Sequence, residues 1–175
     1  MTAHLSILNP EPRRLPGPEL LHELVSKPML SNHAAIEYLS HDGCHQTITY
    51  NEFHERSNAL AQRLTSSCAA SQPARKTGFV VPLYIPQTPE LYIAQLAVLK
   101  AGGAFCPMTL GAPEERLRYI LKDVDAKLLL TVKDFRERLP QDLGVEIICA
   151  DEQAAESSGT QLSPELAASQ PAYVM

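Results

Sequence analysis

The 175-residue sequence has no excess of basic residues and no long hydrophobic run. Its 20 acidic and 15 basic side chains give a formal charge of −5, so nothing in the charge favours a nucleic acid or an anionic membrane as partner. No apolar stretch approaches the roughly 20 residues that cross a bilayer. The N-terminus also lacks the basic start and apolar run of a signal peptide. We therefore predict no nucleic-acid partner, no membrane partner and a cytoplasmic location.

Paired cysteines and complete clusters of metal ligands are also missing. The segment "HDGCH" brings His41, Cys44 and His45 close together, but its Asp42-Gly43 dipeptide is a hairpin-turn signal and no second cluster completes a site. The sequence has no C-x-x-C pair, which favours scattered reduced thiols. We therefore predict no metal-binding residue and no disulfide framework. The four cysteines are Cys44, Cys68, Cys106 and Cys149.

The common catalytic and phosphate-binding motifs are absent. The sequence contains neither G-x-x-x-x-G-K-[ST] nor G-x-G-x-x-G, and neither G-x-S-x-G nor H-E-x-x-H. The nearest stretch, "SSGT" at residues 157–160, lies in a polar linker with no lysine after it. The carboxylate pairs Glu114/Glu115 and Asp123/Asp125 suit the start of a helix and a solvated helix end. We predict that none of these groups is catalytic.

The remaining polar side chains have structural interpretations. His54 falls on the polar side of a predicted helix, and Tyr84 and Tyr92 are expected to be core or half-buried aromatics. Three cations lie on predicted helices, where pairing with the helix dipole or solvent accounts for them. They are Lys100, Arg116 and Arg118. The sequence therefore predicts no catalytic, cofactor-binding or metal-binding residue in this chain.

The first third of the chain divides into a leader and a hairpin. Residues 1–30 carry five of the 14 prolines, which predicts an extended leader with one short helix at about residues 18–26 whose leucines and Val25 pack on a neighbouring surface. Alternating residues from Ala34 to Tyr50 predict a β-hairpin. A capping box of Thr49 and Glu52 then begins a long helix. We place the main domain at residues 31–175.

Strands and helices alternate in the rest of the chain. An apolar helix from Pro89 to Ala101 is expected to stop at Gly102, and Pro113 opens another helix. The strand "FVVPLYIP" contains Pro82, which predicts a bulge or an edge position, and the last six residues, "QPAYVM", predict the start of a strand. This alternation predicts an α/β fold with helices layered on a mostly parallel sheet.

Two long stretches in this order resemble the signatures of adenylation domains in nonribosomal peptide synthetases. "TITYNEFHERSNALAQRL" resembles the L-T-Y-x-E-L signature, and "LKAGGAFCP" resembles the L-K-A-G-x-A-Y-V-P signature. The second signature has its usual continuation, and the resemblance extends from about Ala34 to Met175. The amino-acid sequence of residues 86–107 is also similar to that of synthetases of fungal hydroxamate siderophores. The continuation consists of Pro113, Glu115, Arg116, Leu117 and Tyr119.

The resemblance implies a partial N-terminal subdomain of an adenylate-forming enzyme. In that family a loop rich in serine, threonine and glycine follows an "AYVM"-type strand and holds the ATP phosphates, whereas this sequence ends at Met175. The parent enzyme is expected to activate an amino or other carboxylic acid with Mg-ATP and to load it on a phosphopantetheine thiol. The expected partners are the remainder of the adenylation domain and a carrier protein domain. The isolated chain, a scaffold fragment without cofactor, is expected to be inactive.

Two alternatives stay open from the sequence alone. The chain could be a non-catalytic module whose unfinished sheet edge at residues 172–175 is completed by a partner chain. It could also be a fragment of an acyl-coenzyme A ligase or a carboxylate reductase, because the acyl acceptor is chosen by parts that this sequence lacks. Phe105-Cys106 and Met108-Thr109 replace the family's common Tyr-Val and Leu-Asp, which leaves the substrate class open.

Overall fold

The structure is a computed structural model that describes residues 20–25, 31–40, 42–71, 78–152 and 170–175. A short 3₁₀ helix at Leu21–Glu23 precedes the main elements. The strands are β1 (Ala34–Leu39), β2 (His45–Thr49), β3 (Val80–Tyr84), β4 (Ala104–Pro107), β5 (Leu128–Thr131) and β6 (Glu146–Cys149). The helices are α1 (Tyr50–Ser71), α2 (Pro89–Lys100), α3 (Glu114–Asp123) and α4 (Lys133–Arg136).

A parallel four-stranded sheet in the order β4-β3-β5-β6 forms the centre of the molecule. Each of its strands follows the previous one through a helix or a loop crossover, as parallel pairing requires. The predicted α/β class with a parallel sheet is therefore confirmed. The predicted hairpin is confirmed as well: β1 and β2 pair antiparallel, and the turn between them carries Gly43 at a φ of +80°.

Helices cover both faces of the parallel sheet. Neighbouring side chains of a strand point to opposite faces, so each strand contributes to two clusters. Leu128 and Leu130 on β5 pack with α1 and α2, whereas Leu129 between them packs with Leu117 and Leu121 on α3. All four residues of β5 are consequently buried. The predicted inward face of α1 is also confirmed, since its members are all buried. They are Phe53, Ser57, Leu60, Ala61 and Leu64.

Pro82 lies in an internal strand, so the prediction of a bulge or an edge position is wrong. The register of β3 against β4 runs without interruption from Val80 to Leu83. The Leu83 carbonyl accepts a hydrogen bond from the Met108 amide on the β4 side, at 2.9 Å. Because successive residues of a parallel strand point to alternate neighbours, the Pro82 nitrogen faces β5. Pairing with β5 begins only at Leu83 opposite Leu130, so the missing donor falls just before that ladder.

The predicted leader helix is shorter and less buried than its apolar stripe indicates. Only Leu21–Glu23 forms a helix among residues 20–25, and the remainder of the predicted 18–26 segment lies outside the described residues. Leu21 and Leu24 are 53% and 51% exposed, whereas Val25 packs against the core. A single 3₁₀ turn cannot direct all the leucines to one face, and this explains the difference.

A pair of glycines ends α2 and leads the chain into β4. The Gly102 amide donates to the Leu99 carbonyl at 3.1 Å, and the Gly103 amide donates to the Val98 carbonyl at 3.0 Å. With Gly102 at a φ of +80°, these bonds form the Schellman motif that satisfies helix carbonyls. Gly103 has a different requirement: a Cβ there would lie 2.6 Å from the Phe79 ring. Gly102 is therefore needed for its positive φ, and Gly103 is needed because a side chain there would collide with Phe79.

Thr49 caps the start of α1 as predicted. The Glu52 amide donates to the Thr49 hydroxyl oxygen at 3.2 Å. The Glu52 carboxylate faces Arg56, with 3.6 Å between their charged atoms, rather than completing the reciprocal capping box. Of the predicted capping box, the structure therefore shows the contact with the Thr49 hydroxyl.

We expect Gly102→Val to lower the free energy of unfolding by roughly 1–3 kcal/mol, because a branched side chain is strained at positive φ. Urea unfolding followed by circular dichroism measures this. Gly103→Ala is the matched comparison, and it should also destabilise the chain, through the contact with Phe79. Unchanged unfolding midpoints for Gly102→Val would contradict the assigned helix stop.

We expect Thr49→Ala to cost about 0.5–2 kcal/mol, because it leaves an amide of the first turn of α1 without its side-chain acceptor. Glu52→Ala should cost less, since its partner Arg56 is solvent-accessible and such ion pairs contribute little. The two variants are compared in the same urea titration. A larger effect of Glu52→Ala than of Thr49→Ala would show that the helix begins elsewhere.

Candidate functional site

The carboxyl ends of β3, β4 and β5 meet at one edge of the sheet, where ligands bind in open α/β folds. Tyr84 is the last residue of β3 and is buried, as predicted. Its hydroxyl accepts a hydrogen bond from the Gly111 amide at 3.0 Å, and its carbonyl accepts one from the Thr131 hydroxyl at 2.9 Å. Tyr84 thus fixes the loop after β4 to the end of β3.

An open depression of about 640 Å³ lies at this edge. Its charged members are engaged with neighbours: the Arg138 guanidinium lies 4.2 Å from the centre of the Phe135 ring, and Glu114 pairs with Arg118 at 2.6 Å. The lining is otherwise mostly apolar and presents no set of converging cations for a phosphate. It consists of Tyr84, Leu110, Gly111, Ala112, Glu114, Leu117, Phe135, Arg138 and Pro140.

The end of the described chain lies beside β4 and runs parallel to it. The Phe105 amide donates to the Ala172 carbonyl at 3.1 Å, and the Val174 amide donates to the Phe105 carbonyl at 2.9 Å. The Phe105 and Tyr173 rings stack with 6.0 Å between their centres. The predicted start of a strand is therefore confirmed as a short parallel bridge, and it directs residue 174 toward the edge that holds the depression.

The three predicted helix cations have different environments. Arg116 lies over the Tyr119 ring at 5.6 Å, and Arg118 pairs with Glu114, so both remain on the exposed surface of α3 as predicted. Lys100 is only 9% exposed, and the prediction that dipole pairing or solvent accounts for it is wrong. Its side chain turns inward, against α1.

The Lys100 ammonium is surrounded by neutral acceptors on α1. Its nitrogen lies 2.7 Å from the Ser57 hydroxyl oxygen, 2.7 Å from the Asn58 amide oxygen and 3.1 Å from Nδ1 of His54. These acceptors match the three donors of a lysine ammonium. Burial lowers the pKa of Lys100 to about 8. The prediction that His54 is a surface residue is also wrong, since it is half-buried and contacts Lys100.

This cluster had a partial signal in the sequence. Ser57 falls on the predicted inward face of α1, where a hydroxyl needs a polar partner. His54 lies three residues before Ser57 and four residues before Asn58, which are the spacings of neighbours on a helix. Nothing in the sequence indicates that the partner is Lys100, 43 residues further along the chain. The helix crossing brings the two signature segments together.

The other candidate groups do not assemble into a site. Cys44 is exposed, and the other cysteines are buried and free. Burial raises the pKa of Cys68 to about 11 and also raises the pKa of Cys106, so both thiols stay protonated at neutral pH. Tyr92 is 47% exposed. The "SSGT" stretch and His41 lie outside the described residues.

Across the described ranges, no three His, Cys, Asp or Glu side chains are grouped in a way that could hold a metal ion. Among those same residues, no helix combines the length and the apolar character needed to cross a bilayer.

Comparison with known proteins places the chain in a family. The family model described as AMP-binding enzyme matches residues 27–175. Nonribosomal peptide synthetase 2 of Gibberella zeae is 42% identical over 98% of this chain, which spans 4% of that protein. Nonribosomal peptide synthetase SIDC of Beauveria bassiana is 45% identical over 85% of this chain, which spans 3% of that protein.

Solved structures agree with the sequence relatives. The nonribosomal peptide synthetase FmoA3 has a TM-score of 0.65 and 25% identity over 74% of this chain and 13% of its own. FmoA3 has also been solved with AMPPNP bound and with alpha-methyl-L-serine-AMP bound. The family model covers well over half of the chain, so this protein belongs to the AMP-binding enzyme family.

Proposed function

We propose that this chain is the N-terminal scaffold of an adenylation domain in a nonribosomal peptide synthetase. The family match over residues 27–175, together with synthetase relatives at 42% and 45% identity, carries the proposal. The parent domain would use Mg-ATP to activate an amino or other carboxylic acid as an acyl adenylate, and would transfer the acyl group to the phosphopantetheine thiol of a carrier domain. The amino-acid sequence of residues 86–107 favours a role in siderophore biosynthesis. We expect a cytoplasmic location.

The described residues do not by themselves fit a triphosphate. A phosphate site needs converging backbone amides and cations within hydrogen-bond reach. At the carboxyl edge, Arg138 stacks on Phe135 and Glu114 pairs with Arg118, while Lys100 is buried against α1. In this proposal, residues 31–175 supply the sheet and its edge, residues 1–30 are a leader, and the nucleotide-binding groups belong to the remainder of the domain.

The direction of residues 172–174 supports the proposal that the nucleotide-binding groups belong to the remainder of the domain. Residues 172–174 pair with β4 in the parallel direction, so any chain that follows them starts at the carboxyl edge of the sheet. That edge is where parallel α/β sheets place their ligand-binding loops. The Tyr84–Gly111 hydrogen bond and the glycine turn after α2 hold the neighbouring loops in position.

We expect the isolated chain to show no acid-dependent exchange of pyrophosphate into ATP and to bind Mg-ATP more weakly than about 10 µM, which corresponds to roughly 7 kcal/mol of binding free energy. Radiolabelled pyrophosphate exchange and calorimetric titration measure the two quantities. A stoichiometric site tighter than that limit would contradict the scaffold assignment.

A chimera tests the adenylation proposal directly. This chain replaces the corresponding segment in the matching adenylation domain of the Gibberella zeae synthetase, and the unaltered domain is the positive control. We expect the chimera to recover amino-acid-dependent exchange and to load a carrier domain. A folded chimera that fails to exchange would contradict the proposal.

A further inference from the structure

Residues 20–25, here called the N-terminal strap, dock on the helix pair formed by α1 and α2. The 3₁₀ helix of the strap packs against α2, and Val25 packs against the core. Nε2 of His54 lies 2.9 Å from the Val25 carbonyl oxygen. Because a carbonyl oxygen can only accept, Nε2 carries the hydrogen and donates it. One imidazole of α1 therefore holds the backbone of the strap.

The second nitrogen of the same ring contacts the buried ammonium. Nδ1 of His54 lies 3.1 Å from Nζ of Lys100, and an ammonium can only donate, so Nδ1 is the acceptor. The other two acceptors, on Ser57 and Asn58, each lie 2.7 Å from Nζ. The ring orientation that the Val25 carbonyl selects is thus the same orientation that supplies Lys100 with its third acceptor.

The burial of Lys100 is unusual for its place in the chain. Lys100 is the last residue of α2, where a lysine side chain can extend into water, yet it is only 9% exposed. The strap lies near this ammonium. Burial is the main cause that lowers the pKa of His22, Glu23 raises that pKa, and the charge of Lys100 lowers it. The strap is therefore placed to cover the ammonium together with α1.

We propose that the N-terminal strap is a lid over the Lys100 ammonium, held closed by Val25 and His54, and that its closure completes the polar contact between α1 and α2. With the lid closed, the hydrogen bonds of Lys100 lie in surroundings with little water, where such bonds are stronger. With the lid open, the His54 ring loses the partner that orients it, and Lys100 becomes accessible. The inference concerns contacts within the described chain and does not depend on the proposed adenylation activity.

Acetylation of the 175-residue chain with N-acetoxysuccinimide, quantified for each lysine by peptide mass spectrometry, tests the lid. The reagent attacks the neutral amine, so the reaction is run at a pH of about 8, which is also the lowered pKa of Lys100. The lowered pKa favours reaction, so slow acetylation of Lys100 reports restricted access. We expect Lys100 to react at least about tenfold more slowly than the exposed Lys122 on α3.

Two variants open the lid from different sides, and a third is their control. Val25→Ser removes the packing of the strap on the core, and His54→Leu removes the imidazole; each should raise acetylation of Lys100 about fivefold. Leu24→Ser makes a similar change at a strap residue that is 51% exposed, and it should stay within about twofold of the wild type. The double variant of Val25 and His54 should react less than about twice as fast as the faster single variant, because both changes open the same lid.

The outcomes decide the proposal. It would be overturned by wild-type Lys100 reacting as fast as Lys122, by unchanged protection in Val25→Ser, or by an equal rise in Leu24→Ser. An equal rise in the hydrogen exchange of β5 amides would identify global opening and would also overturn it. If His54→Leu does not fold, the pair Val25→Ser and Leu24→Ser still decides. Long-range ¹H–¹⁵N spectra of the wild type give a further test, since an Nδ1–H form of His54 would contradict the contact with Val25.

Discussion

The buried ammonium of Lys100 holds the two long helices of this chain together. Its contacts with Ser57, Asn58 and His54 place a charge between α1 and α2, beside the apolar core that the two helices share. Removing one partner of such a group leaves a buried donor or acceptor unsatisfied, which costs more than the hydrogen bond itself contributes. The polar contact between α1 and α2 therefore depends on this lysine, whereas apolar side chains such as Leu64 and Ile93 join the rest of the two helices.

The position of Lys100 also connects the helix pair to the sheet edge. Lys100 is the last residue of α2, and the Schellman turn at Gly102 follows within two residues. That turn leads directly into β4, the strand against which residues 172–174 pair. One short stretch thus contains the contact that fixes the helix, the turn that ends it and the strand that receives the end of the described chain. These three structural requirements explain why the sequence signature at this point is so well defined.

Scaffold and chemistry are separated in this part of the domain. The carboxyl edge is well defined, with Tyr84 bound to the loop after β4, yet its charged side chains are engaged with their own neighbours. Precise positioning contributes much of the rate in group-transfer reactions. A segment that contributes only positioning can carry long signatures without a single reactive group, and this agrees with the place that we propose for it in an adenylation domain.

The sequence by itself determined the elements, because local periodicity, the Thr49 cap, Gly102 and the hairpin turn act over a few residues. It also determined the family, because the residues and the order of the two signatures are specific to it. Tertiary structure alone decided the surroundings of Lys100 and His54, because the partners of an inward-turned side chain come from a helix more than 40 residues away. It likewise decided that Pro82 is tolerated in an internal strand, since the neighbour that would need its missing amide begins pairing one residue later. Long-range packing sets both environments, and no local pattern records it.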